Sequence, residues 1–235
     1  MSERRLLLLA SLGLVMATAL AQTPAPATLP GQATVRQLNA RKVSNAGVVV
    51  WLTPVAGSAP TVTPARTYQM AQRNKAFEPH LLVIPTGSMV AFPNFDPFFH
   101  NVFSLGNDRP FDLLLYQGGA SRSQRFSRPG ITYVFCNIHP QMSAVIVTVP
   151  TPWYGISDAA GAYALPAPPP GEYQLHVWYE RAQPADLARL QRQVEIAPNT
   201  GLPSIQVDES PVPAMHKNKY GQDYDTPGSY GTVDQ

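Results

Sequence analysis

The stretch Ile131-Thr132-Tyr133-Val134-Phe135-Cys136-Asn137-Ile138-His139-Pro140-Gln141-Met142-Ser143-Ala144-Val145-Ile146-Val147-Thr148-Val149 sets a short loop between two apolar runs. Residues 131–136 and 144–149 are rich in β-branched and aromatic side chains, which fit a pleated, half-buried surface, so both are predicted to be strands. Asn137 and Pro140 break the pattern between them. The loop carries Cys136, His139 and Met142 at a C-x2-H-x2-M spacing. A second imidazole lies upstream: His100, in His100-Asn101-Val102-Phe103, stands just before the predicted strand 102–105 and just after Phe92-Pro93-Asn94-Phe95-Asp96.

A thiolate, two imidazoles and a thioether form the ligand set of a mononuclear electron-transfer copper site. Soft sulfur holds Cu(I), and imidazole tolerates both oxidation states. Two other readings of these residues stand beside it. Cys136 can be a buried thiol with His139 in a loop and Met142 as core filler. Zinc is the third, but methionine is a poor zinc ligand.

Working outward, the chain begins with a targeting pattern. Arg4 and Arg5 precede an apolar segment, 6–20, that ends at Ala19-Leu20-Ala21, the small-residue pattern of a cleavage site. The segment is short for a membrane span, so cleavage after residue 21 is expected, with an uncleaved anchor as the other outcome. No later segment is apolar enough over sufficient length to cross a bilayer. Removing Glu3, Arg4 and Arg5 lowers the formal charge of +2 by one, so no basic surface argues for nucleic acid. A single cysteine in an exported chain has no internal disulfide partner and calls for another explanation. Twenty-five prolines and 16 glycines suit turn-rich β structure and argue against a helical bundle.

Residues 22–32 are Pro-, Ala- and Thr-rich and are expected to be a flexible leader. From residue 33 short β-type runs follow one another between Gly and Pro punctuation: 48–52, 68–72, 81–84, 89–92, 102–105, 111–115 and 123–126, then the two around the loop. Strands at this spacing with no long amphipathic helix predict an all-β, antiparallel sandwich over 33–150, in which 33–72 supply N-terminal strands. Pro150-Thr151-Pro152 marks the boundary. A smaller β unit is expected over 151–208, with strands at 154–157, 162–165, 172–179, 193–196 and 205–207 and one helical turn near 185–190. The tail, 209–235, mixes Pro, Gly, Tyr, Asp and Lys without periodicity and is expected to be disordered.

Residues 74–149 resemble the cupredoxin family, plastocyanin- and amicyanin-like. The residues that carry the likeness are Phe77-x-Pro79, Ile84, Gly87, Val90-x-Phe92-x-Asn94-x-Asp96, His100-Asn101-Val102 and the amicyanin-type spacing of the ligand loop. The resemblance implies a Greek-key sandwich in which His100, Cys136, His139 and Met142 hold one copper, with Met142 axial. It implies that Asn101 lies behind the ligands, its amide tying the two ligand segments together near the thiolate. It also makes His139 the electron port, edging into solvent within an apolar rim. The stretch 106–123 is longer than the family usually has. Residues 151–207, through Ser157-Asp158-x-x-Gly161 and Pro170-Gly171-x-Tyr173-x-Leu175-x-Val177, resemble the transthyretin-like, carboxypeptidase regulatory-type fold, a structural or binding frame. Taken whole, the chain resembles bacterial periplasmic proteins of the methylamine utilisation type.

The expected function is single-electron transfer between periplasmic redox proteins by a copper protein that is not an enzyme. A copper-independent scaffold on the same frame and a copper-trafficking protein are the alternatives. Other polar residues are given lesser roles. His80 is expected at a surface or strand edge, His176 solvated on the polar side of its strand, and His216 in the tail. Asp96, Asp108 and Asp112 are taken as loop carboxylates without partners, so no acid–base catalysis is assigned. Phe92, Phe95, Phe98 and Phe99 crowd His100 and are read first as packing, second as a partner surface.

Overall fold

The computed structural model describes residues 27–37, 44–60, 62, 67–105, 110–198, 200–211 and 217–220. The expected signal peptide, the first part of the leader, Asp108, His216 and most of the tail lie outside the described residues. The described chain is all-β apart from one short helix.

The strands run in chain order as β1 (Thr28–Arg36), β2 (Val49–Pro54), β3 (Tyr68–Gln69), β4 (Ala71–Arg73), β5 (Ala76–Glu78), β6 (Leu81–Pro85), β7 (Ser88–Pro93), β8 (His100–Ser104) and β9 (Phe111–Tyr116). They continue as β10 (Ser121–Phe126), β11 (Gly130–Phe135), β12 (Ser143–Val149), β13 (Tyr154–Ile156), β14 (Ala162–Pro166) and β15 (Gly171–Trp178). The helix α1 (Pro184–Leu190) precedes β16 (Arg192–Ile196) and β17 (Ile205–Asp208).

One sandwich pairs the five-stranded sheet β6-β12-β11-β8-β9 with the three-stranded sheet β10-β7-β3, and β4-β5 form a hairpin at its side. Between its layers lies an apolar cluster that includes Phe77, Ile84, Val90, Phe92, Val102, Val134, Cys136, Met142 and Ile146. A second sandwich is built from β13-β2-β15-β16 and β14-β1-β17. Its core continues without a break onto the outer face of the five-stranded sheet, through Val83, Val145, Val147 and Val149.

β12 explains this stacking. Side chains alternate across a strand. Ala144 and Ile146 fall in the first core, while Val145, Val147 and Val149 fall in the second. A strand covered on both faces must be apolar at every position, and residues 144–149 are almost continuously so. Each such buried side chain contributes roughly 1.5–3 kcal/mol over exposure.

The partition of strands differs from the one expected of 33–72. Of that stretch, β3 and β4 belong with the first sandwich. β1 instead pairs antiparallel with β14 and parallel with β17, and β2 lies between β13 and β15. Half of the supposed leader is likewise strand: residues 28–32 pair with β14, Thr28 opposite Pro166 and Gln32 opposite Ala162. An apolar run reports that a strand is buried but not which sheet covers it. The remaining strands of 151–208 and the helical turn fall where the sequence places them.

Candidate metal centre

β11 and β12 form the hairpin whose loop is residues 136–142, with Phe135 opposite Ser143. β8 joins the other side of β11, with Phe103 opposite Phe135, and so brings His100 beside Cys136. The loop is closed from within. The Cys136 N–H donates to the Met142 carbonyl at 3.1 Å, and the Met142 N–H donates to the His139 carbonyl at 2.9 Å.

Cys136 Sγ lies 3.7 Å from His100 Nδ1 and 3.6 Å from His139 Nδ1. The three donor atoms all fall within 4.8 Å of one another. His100 and Cys136 are fully buried and Met142 is 1% exposed, in the same apolar cluster as the thiol. His139 is half-buried at the mouth. Triangle edges of this length leave room for an ion with donor bonds of about 2.0–2.3 Å. The group can hold a metal.

The electrostatics of each donor favour that reading. Burial pushes the Cys136 thiol up, while backbone N–H groups of Asn101, Ile138 and His139 act in the opposite direction. A neutral thiol is a weak acceptor, whereas a metal-bound thiolate suits three converging N–H donors. His139 is held below the ordinary imidazole value, chiefly by burial, which favours the neutral ring with a lone pair to offer. His100 Nε2 lies 2.8 Å from Asp96 Oδ2. With that nitrogen protonated and donating to the carboxylate, the neutral ring keeps its Nδ1 lone pair toward Cys136.

Asp96 is thus not the unpartnered loop carboxylate expected. It is 5% exposed, and it accepts the N–H groups of Asn74 and Lys75 at 2.7 and 2.9 Å as well as the His100 ring. Burial alone would raise its pKa. The bonds from Lys75, His100 and Asn74 outweigh burial and hold it below the usual carboxylate range. Asn74 and Lys75 both have positive φ, 52° and 57°, the left-handed pair of a tight hairpin turn that turns both N–H groups onto one carboxylate.

Asn101 also departs from expectation. Its side chain is buried, but its amide donates to Asp112 Oδ1 at 2.6 Å and not to the ligand loop. The link to the sulfur runs through its backbone N–H. Its Oδ1 has no hydrogen-bond partner among the described residues. Asp112, on β9, additionally pairs with Lys219 at 3.0 Å, so it too has the partner that the sequence did not disclose.

At the mouth, the Phe98 ring lies 5.2 Å from the His100 ring and 5.8 Å from that of His139. Phe95 and Phe99 are each 51% exposed, and Phe98 and Ile138 are 37% exposed. Arg73 sits 4.6 Å over the Phe95 ring and Lys75 5.6 Å over that of Phe98. Phe92 alone of the four phenylalanines is core. The other two described histidines, His80 and His176, lie away from the group. His80 is exposed and bonds Glu180 at 2.7 Å. His176, half-buried, stacks on Trp51 at 5.0 Å and 5° and shares a 2.8 Å hydrogen bond with Thr53.

No protein-family model matches the chain, and no curated protein sequence matches it. Among solved structures, it is similar to the Cu-containing nitrite reductase from Thermus scotoductus SA-01, at 27% identity over 41% of this chain and a TM-score of 0.35. That likeness spans a quarter (25%) of the reductase chain. It is similar to a purple cupredoxin from Nitrosopumilus maritimus at 22% identity, covering 35% of this chain and 99% of that one, with a TM-score of 0.33. It is also similar to a reduced amicyanin at 18% identity, covering 42% of this chain and 99% of that one, with a TM-score of 0.34.

Proposed function

We propose that this is an exported mononuclear copper protein that carries single electrons between periplasmic redox partners. The observation that carries the reading is the buried convergence of His100 Nδ1, Cys136 Sγ and His139 Nδ1 on one short loop and one strand end. Met142, buried in the same apolar cluster as the thiol, would supply a fourth, soft sulfur donor. Bound copper would contribute a one-electron couple. The chain contributes the rest: a dry frame, a thiolate cradled by three N–H groups, and a His100 ring fixed by Asp96.

His139 and the exposed rings of Phe95, Phe98 and Phe99 form the face on which a redox protein would dock. No substrate chemistry is required, and the protein is read as a carrier, not an enzyme. The second sandwich, transthyretin-like in its turn motifs, is read as a structural partner, because its core packs on the outer face of the first sandwich's five-stranded sheet. The burial of the donors disfavours copper trafficking, which needs a site open to exchange. No helix among the described residues is long and apolar enough to cross a membrane. Export rests on the N-terminal targeting pattern at residues 4–21.

The test is to add Cu(II) to the purified chain and record visible absorption and EPR. An intense thiolate-to-copper band with narrow hyperfine splitting is expected, and Cys136→Ala should abolish it. A colourless protein that binds copper only loosely would overturn the reading.

A further inference from the structure

Lys219 stands 82 residues beyond Asn137 in the sequence, yet it touches the ligand loop directly and reaches the strand that carries His100 through Asp112. Its backbone N–H donates to Asn137 Oδ1 at 2.9 Å, and Asn137 directly follows Cys136. Its ammonium donates to Asp112 Oδ2 at 3.0 Å. The other Asp112 oxygen accepts from the Asn101 amide at 2.6 Å and from the Leu114 N–H at 2.8 Å. Asn101 follows His100, and its own N–H is directed at the Cys136 sulfur. A continuous polar path therefore runs from the tail to both ligand strands.

We infer that residues 217–220 clamp the metal-ligand loop, with Lys219 and Asp112 as positioning residues that fix the His100 and Cys136 segments relative to one another. The purpose of the clamp rests on the copper reading, whereas its geometry is that of the metal-free chain. The ligand loop has two internal backbone bonds of its own. The Asn101 amide is oriented through Asp112, since its oxygen has no partner among the described residues. The Lys219–Asp112 pair is only 25% and 30% exposed, which shields it from salt better than an open surface pair. Tyr220, next along, is 72% exposed and borders, with Phe103, Leu105 and Phe111, a hollow of about 350 Å³.

The clamp predicts where protection from amide hydrogen exchange will change in the metal-free protein. Three chains are compared: the full one, one ending at Pro211, and Lys219→Met, which keeps the backbone donor and loses the ammonium. Exchange at residues 137–142 is expected to rise about tenfold in the shortened chain and less in Lys219→Met, the size of losing one or two hydrogen bonds. Strands β2 and β15 should be unaffected. Equal exchange at 137–142 in all three chains, or an increase spread uniformly over every strand, overturns the inference. Cu(II) colour is scored separately on the same samples. Colour with no difference in exchange removes the clamp alone, and a localised exchange difference without colour supports the clamp and removes the copper reading alone.

Discussion

At the residue scale, the candidate donor residues are legible because most of them are close in sequence. Cys136, His139 and Met142 declare themselves by spacing, and His100 by its position before a strand. What surrounds them is not. Asp96 meets His100 four residues on and also a hairpin turn twenty-one residues back, and nothing in either segment names the other. The same holds for Asp112, whose partners sit 11 and 107 residues away. Asp96→Asn keeps the shape but offers one acceptor oxygen to three donors and aims an amide at one of them. Urea denaturation of the metal-free protein should therefore show a loss of about 1–3 kcal/mol, the range for a buried donor left unpaired. An unchanged midpoint with an unchanged slope would mean that the carboxylate does not hold the His100 segment.

At the scale of elements, most strands are readable from their side-chain pattern, and turns from their chemistry. Ser157-Asp158-x-x-Gly161 is one such turn. Asp158 Oδ1 accepts the N–H groups of Ala160 and Ala162, and Gly161 takes φ +89°. Yet the turn also serves β1, since the Ala33 N–H donates to the Gly161 carbonyl at 2.8 Å. A Cβ on Gly161 would stand 2.0 Å from the Ala33 oxygen. Gly161→Ala thus combines a disfavoured φ with a backbone clash, and a stability loss of at least about 2 kcal/mol is expected. Thermal unfolding monitored by Trp fluorescence checks it, and a midpoint within a degree of the parent would contradict the contact. The pairing of β1 with β14 and β17 was the part hidden from the sequence, because alternation gives a strand's faces and not its neighbours.

At the scale of the molecule, the second core packs on the outer face of the five-stranded sheet, and an ion pair adds a polar link between the two sandwiches. His80, at the head of β6, bonds Glu180 just after β15 at 2.7 Å. That hydrogen bond raises the His80 pKa, with burial opposing and the Glu180 charge and the Ser143 carbonyl adding to it. The sign follows from the direction. A folded-state value above the unfolded one, about 6.5, contributes stability that is fully present below that pH. The contribution is lost as pH rises through the folded value. Stability should thus decline from just above pH 6.5 upward by a small amount, since the imidazole is half-exposed. Glu180→Gln should flatten that part of the profile, and a persistent slope would assign it to another group.

The strand partition has a kinetic consequence. β2 and β13 are antiparallel neighbours, with Trp51 opposite Tyr154 and the Leu52 N–H bonded to the Trp153 carbonyl at 3.0 Å. They are the two arms of a hairpin, and the whole first sandwich is its tip. Closing an unstructured loop of roughly a hundred residues is an entropic burden on that pairing. Once the sandwich has folded, its two exits are already side by side, and it acts on its host as a rigid turn acts on a short hairpin. The first sandwich is thus a guest whose own folding templates the sheet that carries it.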